Sequence, residues 1–192
     1  MGDKTRFLKA FLTSPAKVGA IAPSSASLAR RMVDGLSPSE SESILEFGPG
    51  TGPFTAAIQE ILARQSNYVG IERDANFIAL LRERFPELTF IEGSAEHAKQ
   101  HFDASGIPPL KAILCGLPFA SLPPSVQDGV ISSLDQLMTP GTQFRTFQYV
   151  HAYLLPTAIR FRRQMSALFG NCRRSRAVLR NLPPAYVLRW QR

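Results

Sequence analysis

The stretch Ile44-Leu45-Glu46-Phe47-Gly48-Pro49-Gly50-Thr51-Gly52 decides how the rest of this chain is read. Glycines alternate at 48, 50 and 52, directly after a short apolar segment that carries an acid. A helical apolar pattern follows at once in Phe54, Ala57, Ile58, Ile61 and Leu62. A strand, a glycine turn and a helix together make a nucleotide cradle. Glycine lets the backbone approach a ligand and take positive φ, and a helix start offers unpaired N–H groups.

Outward from the turn, short strands and helices alternate. Strands are expected over 44–47, 68–72, 88–91, 111–115 and about 142–150, with helices over about 53–65, 75–85, 95–101 and 125–137. Asp74 suits the N-cap of the second helix and Pro86 stops it. Crossovers of this length specify an α/β fold with a parallel, doubly wound sheet. Beyond it, the pattern predicts a helix over 157–169 and a terminal hairpin, 175–181 with 185–190, joined by Asn181-Leu182-Pro183-Pro184. Upstream, residues 4–12 read as a basic amphipathic helix, with Phe7, Leu8, Phe11 and Leu12 interleaved with Lys4, Arg6 and Lys9. Residues 13–25 read as a loop and 26–33 as a helix capped by Ser25. The expected organisation is a helix-and-lid segment, 1–36, and a nucleotide-binding domain, 37–192.

Composition narrows the partners. A chain of 192 residues suits one domain with a substantial core. No apolar run reaches the roughly 18 residues of a spanning helix, and no signal peptide is evident. Cys115 and Cys172 have neither metal-site nor disulfide spacing, which fits reduced thiols in the cytoplasm. Net charge is +7 but unevenly placed. Residues 136–192 contain 10 Arg and no Asp, Glu or Lys, which favours a polyanionic partner, either nucleic acid or an anionic membrane surface.

The acids choose the nucleotide. No lysine lies in the turn, so it is not the phosphate loop of an NTPase, and the third glycine arrives too early for the dinucleotide fingerprint. A carboxylate at Glu46 would repel a pyrophosphate but attract an ammonium. Glu72, ending the second strand, is placed to accept from both hydroxyls of a ribose. One acid for an ammonium and one for a ribose describe S-adenosylmethionine, with S-adenosylhomocysteine as the product.

These residues resemble motif I of the class I, Rossmann-like, S-adenosylmethionine-dependent methyltransferases, an E/D-x-G-x-G-x-G run. The resemblance implies a mostly parallel seven-stranded sheet with an antiparallel C-terminal hairpin strand. It also implies a cofactor site built from Glu46, Gly48, Pro49, Gly50, Thr51 and Gly52, from Glu72 and Arg73, from Gly93, Ser94 and Ala95, and from Cys115, Gly116 and Leu117. Ser94 stands where the family usually has an aspartate for the adenine amine. Cys115-Gly116-Leu117-Pro118-Phe119 stands where nucleic-acid amine methyltransferases carry Asn/Asp-Pro-Pro-Tyr or Asn-Leu-Pro-Tyr/Phe. Gly116 removes the amide that would hold a flipped base, while Phe119 is a candidate stacking ring or a core residue.

Other segments are similar to bacterial phospholipid N-methyltransferases: Phe7 to Phe11, Gly19-Ala20-Ile21-Ala22-Pro23-Ser24-Ser25, Cys115 to Pro118, Phe147-Gln148-Tyr149 and Asn181 to Ala185. That likeness implies stepwise methylation of phosphatidylethanolamine toward phosphatidylcholine by a peripheral protein on the inner face of the cytoplasmic membrane. Lys4, Arg6, Phe7, Lys9 and Phe11 would meet the lipid, together with Ser24, Ser25, Arg173, Arg174 and Arg176. Arg160, Arg162 and Arg163 are further candidates for a lipid phosphate. A largely protonated amine must lose a proton before attack, and Tyr149 and His151 after the fifth strand are the candidate catalytic groups. His97 and His101 are expected to be merely solvated. The expected state is a monomer. The alternative is an RNA adenine methyltransferase using the basic C-terminal segment.

Overall fold

The structure, a computed structural model, describes residues 24–192. The predicted helix over 4–12 lies outside the described residues. In chain order the elements are α1 (Ala26–Val33), β1 (Ser43–Phe47), α2 (Pro53–Gln59), β2 (Tyr68–Glu72), α3 (Ala75–Arg84), β3 (Thr89–Glu92) and α4 (Ala98–Ser105). They continue with β4 (Leu110–Cys115), α5 (Pro124–Leu137), β5 (Gln143–Tyr149), α6 (Pro156–Phe169), β6 (Arg173–Arg174) and β7 (Ala185–Gln191).

The strands form one seven-stranded sheet in the order β3-β2-β1-β4-β5-β7-β6. The pairs among β1 to β5 are parallel, and β7 runs antiparallel between β5 and β6. This is the expected doubly wound sheet with its reversed C-terminal strand. The inner strands are buried on both faces, as the unbroken burial of β1 shows. One core, on the α5 and α6 side, joins Phe47, Ile113, Phe119, Phe161 and Trp190. The other joins α1, α2 and α3 through Leu28, Met32, Ile44, Ile58 and Leu81.

Local chemistry explains the boundaries. Ser25 caps α1, its Oγ accepting from Leu28 N at 3.1 Å, and Asp74 caps α3 through Asn76 N at 2.8 Å. Three expectations shift. The helix expected over 53–65 stops at Gln59, because the Glu60 N–H divides between Ala56 O and Ile58 O and the chain tightens into turns. Ile61 and Leu62 still pack on the core from that turn, so the apolar period outlasts the helix. The helix expected over 95–101 is a 3₁₀ turn, Ala95–His97, followed by α4. The first arm of the predicted hairpin is not 175–181. The ladder is only Arg173–Arg174, and a single bridge from Val178 to Ala185 closes the loop beyond it.

Candidate active site

The glycine turn sits at the carboxyl end of β1, between β2 and β4, where an open α/β sheet leaves a crevice. Gly48, Gly50 and Gly52 have φ of +64°, +58° and +83°, conformations that other residues resist. Space is the second constraint. A Cβ on Gly48 would meet Leu117 Cδ2 at 2.7 Å, and one on Gly52 would meet Phe85 Cε2 at 2.6 Å. Pro49 lies against Gly70, and the Thr51 carbonyl is held by the Arg84 guanidinium.

Glu46 is wholly buried under this turn. Its Oε2 accepts from Tyr68 Oη at 2.6 Å and Thr55 Oγ1 at 2.8 Å, while Oε1 is buried with no partner among the described residues. Burial pushes the carboxyl up to about 7, against the lowering effect of the two hydroxyls. Glu72 lies at the surface end of β2. Its Oε2 accepts from Gly50 N at 3.0 Å and its Oε1 from Arg73 N and Asp74 N at 2.8 and 3.0 Å. A carboxylate has about four lone-pair positions, so these bonds orient Glu72 and leave it able to accept from a ligand.

Beside Glu72, with Glu46 buried behind the glycine turn, lies a cleft of about 150 Å³. Ile71, Leu117, Leu122, Val126 and Val130 give it apolar walls, and Glu72, Arg73, Ser94 and Glu96 give it polar ones. Gly48, Gly93 and Ala95 lie on it as well. Ser94 keeps one lone pair for an adenine amine. It donates to Glu96 Oε2 at 3.0 Å and caps the 3₁₀ turn through Glu96 N at 3.3 Å. The stronger acceptor beside it is Glu96, a carboxylate that sequence reasoning missed, although an acid two positions beyond the expected aspartate was there to be seen. His101, expected to be only solvated, packs against Gly93 and leaves no room there for a side chain.

Gly116 has an equally tight reason. A Cβ there would lie 2.6 Å from the carbonyl oxygen of Gly48, so the end of β4 and the glycine turn are in backbone contact. The Cys115 side chain lies in the core with its thiol pushed up to about 12 by burial, and its carbonyl accepts from Thr146 Oγ1. It reaches no ligand through sulfur. Phe119 is also wholly buried, stacked on Phe161 with centroids 3.8 Å apart. It is a core residue, not a free stacking ring, and such pairs add about 1 kcal/mol beyond area burial.

Beyond Pro118 opens a second pocket, about 310 Å³, lined by residues 118–121, 147–149, His151, Ala152, Leu155 and Pro183. The structure therefore brings Tyr149 and His151 together, their rings parallel within 12° at 5.6 Å. Tyr149 is half-buried, and burial raises its phenol, so the hydroxyl stays protonated at neutral pH. Gln148, which the sequence offers only as part of the segment Phe147-Gln148-Tyr149, also lines the pocket. Its Oε1 accepts from Arg162 Nη1 at 2.6 Å, and its Nε2 is buried without a partner among the described residues.

The remaining candidates fall elsewhere. The Ser25 hydroxyl oxygen caps α1, and the Ser25 N–H donates to Asn181 Oδ1 at 2.8 Å. Arg160 pairs with Asp128 at 2.8 Å, and Arg162 covers the Tyr153 ring at 3.8 Å. Arg173, Arg174 and Arg176 line a different cavity. Lys4, Arg6, Phe7, Lys9 and Phe11 lie outside the described residues. Among the described residues no helix is long and apolar enough to cross a membrane.

An orphaned buried carboxylate oxygen, a backbone cradle in which a Cβ on Gly48, Gly52 or Gly116 would collide, and an apolar slot flanked by Glu72 and Glu96 fit S-adenosylmethionine. Fold and site together define a class I S-adenosylmethionine-dependent methyltransferase. Similarity to known proteins agrees. The ribosomal RNA adenine dimethylase family model matches residues 8–94. An ornithine lipid N-methyltransferase of Singulisphaera acidiphila is 28% identical over 96% of this chain and 94% of its own length. Among solved structures, a TehB-like SAM-dependent methyltransferase from Corynebacterium glutamicum superposes with a TM-score of 0.66 at 12% identity, covering 98% of this chain and 97% of that one. The glycopeptide N-methyltransferase MtfA bound to sinefungin gives 0.63 at 12% identity, covering 86% of this chain and 93% of that one. These two likenesses concern the fold.

Proposed function

We propose that the chain methylates the primary amine of a membrane aminolipid, phosphatidylethanolamine or ornithine lipid, at the membrane surface. The observation that carries this reading is the rim of the acceptor pocket. Leu154, Leu179 and Leu182 are 76%, 75% and 80% exposed, and Val150 and Leu155 are also open to solvent. They sit on two adjoining loops, since Val150 N donates to Pro184 O at 2.8 Å. Leu155 and Pro183 line the pocket itself. Scattered exposed leucines mean little, but a cluster round a pocket mouth fits an apolar surface. The relationship to an ornithine lipid enzyme across nearly the whole chain supports the same class of acceptor.

When bound, S-adenosylmethionine supplies a methyl group on a sulfonium. Glu46, Glu72 and Glu96 hold the cofactor, with the orphaned Glu46 Oε1 in place for a cationic group. Tyr149 orients the acceptor amine through its neutral hydroxyl and offers its ring face to the methylated ammonium. His151 takes the proton directly or through water. Gln148 Nε2 completes its bonding with an oxygen of the lipid head group. Alignment and a neutral amine are most of what the reaction asks of the protein.

The RNA reading draws on the family match, which covers the cofactor half and stops at residue 94, short of the acceptor pocket. Gly116 admits no amide and Phe119 is locked in the core, so the pocket lacks the groups that grip a flipped base. The deciding experiment incubates the full chain with methyl-labelled S-adenosylmethionine and, in parallel, vesicles containing phosphatidylethanolamine, vesicles containing ornithine lipid, and total RNA. Label in an aminolipid is expected, and the two vesicle arms name the head group. Label in RNA with none in lipid overturns the proposal.

A further inference from the structure

The acceptor pocket leaves most of the C-terminal arginines unexplained. A separate cavity of about 320 Å³ is lined by Arg31, Arg145, Arg173, Arg174, Arg176 and Arg189 against a single carboxylate, Asp34. Sheet register explains why they meet. Arg145 on β5, Arg189 on β7 and Arg173 on β6 are direct cross-strand partners, so their side chains leave one face of the sheet in a row. Like charges directly opposite each other destabilise a sheet. Among the described residues none of these three, nor Arg174 or Arg176, forms an ion pair. Asp34 is already engaged by Arg31 at 3.0 Å.

Arg145 makes the cavity a built site. It is 1% exposed. Its Nη1 donates to the carbonyls of Met32 and Asp34 at 2.9 and 2.7 Å, at the end of α1. Its Nε and Nη2 donate to Gln143 Oε1 at 3.3 and 2.8 Å. A guanidinium has five N–H donors, so one remains uncommitted. Burial first, and Arg189 second, bring this group down to about 10, which leaves it charged at neutral pH.

We propose that this cavity binds a compact anion carrying one or two phosphate groups, at a site separate from methyl transfer. Arg145 lies four residues from Tyr149 along β5, about 13 Å at the usual strand rise. Arginine forks pair two phosphate oxygens at once, and the concave shape suits a small ligand better than a polymer track. An anionic phospholipid head group and a soluble phosphate compound present the same chemistry. The proposal is independent of which acceptor is methylated.

The test compares the full chain with an Arg173→Ser/Arg176→Ser variant, both exposed positions, leaving Arg145 at the end of α1 intact. Inorganic pyrophosphate is titrated by calorimetry. Sedimentation is measured with phosphatidylcholine vesicles with and without phosphatidylglycerol. The wild type is expected to bind pyrophosphate or the anionic vesicles, and the variant to bind about tenfold more weakly, a change of about 1.4 kcal/mol. Pyrophosphate binding identifies a soluble source. Vesicle binding without it identifies a head group. Arginine-selective labelling of the wild type gives a second readout, in which the bound anion should shield Arg173 and Arg176. No binding in either arm, or equal binding by wild type and variant, would overturn the proposal.

Discussion

The two sides of the sheet are built on opposite principles. On the side of β1, β2 and β3, the site is made largely of backbone: three left-handed glycines, a glycine at 116 that leaves no room for a side chain beside a carbonyl, and a carboxylate, Glu72, fixed by N–H groups. On the side of β5, β7 and β6, the pockets are made of side chains brought together by register, and the charge those strands carry is all arginine. A backbone site tolerates almost no substitution, because the alternatives collide. A side-chain site tolerates many, because each wall contributes a little. The first side therefore defines the chemistry, and the second is where relatives sharing the fold can diverge in acceptor.

The contrast can be broken most directly at its seam. Gly116→Asn restores the amide of base-methylating enzymes, yet it should cost about 3 kcal/mol through overpacking against Gly48 O. Methyl transfer should be lost with no gain on RNA, read by thermal melting and by label incorporation. A stable variant that methylates RNA would erase the distinction between the sides.

Glu46 offers a pH test of comparable size. With its carboxyl raised to about 7 in the fold against an ordinary 4.5, the unfolded chain sheds this proton first as pH rises. Stability is therefore lost between pH 4.5 and 7, by about 3 kcal/mol in all, and no further above that. Glu46→Gln should remove that slope relative to wild type in denaturant titrations across the range. A cationic ligand beside Oε1 should also strengthen as pH rises through 7, in the wild type alone.

Glu72→Ala should weaken cofactor binding about 100-fold by calorimetry, since hydrogen bonds to a charged group contribute about 2–3 kcal/mol. On the acceptor side, Leu154→Ser/Leu182→Ser should lower activity on vesicles about tenfold while leaving activity on a short-chain soluble aminolipid unchanged. An equal loss on both substrates would mean that the leucines shape the pocket and do not meet a bilayer. The smallest effect expected is a roughly threefold loss of cofactor affinity for Glu96→Ala, with Ser94→Ala smaller still.

How much was legible in the sequence follows the same divide. Glycines at 48, 50 and 52 are visible because backbone demands select one residue type, and short apolar runs alternating with helical patterns mark the buried strands and the helices. Glu96 escaped notice because its role depends on Ser94 turning the chain back, a local bond that no spacing announces. The arginine row was visible as composition but not as a cavity, since residues 145, 173 and 189 meet only through an antiparallel register. Gln148 was hidden for a related reason. Its orphaned amide becomes apparent only once Arg162 has claimed the other end of the side chain.

The bond between Ser25 N and Asn181 Oδ1 has a mechanical consequence. It clasps the entry to α1 onto the loop that carries Leu179, Leu182 and Pro183, so the start of that helix and one wall of the pocket holding Tyr149 and His151 are tied together. With the far end of α1 held by Arg145, a displacement at either end of this short helix is passed to the other.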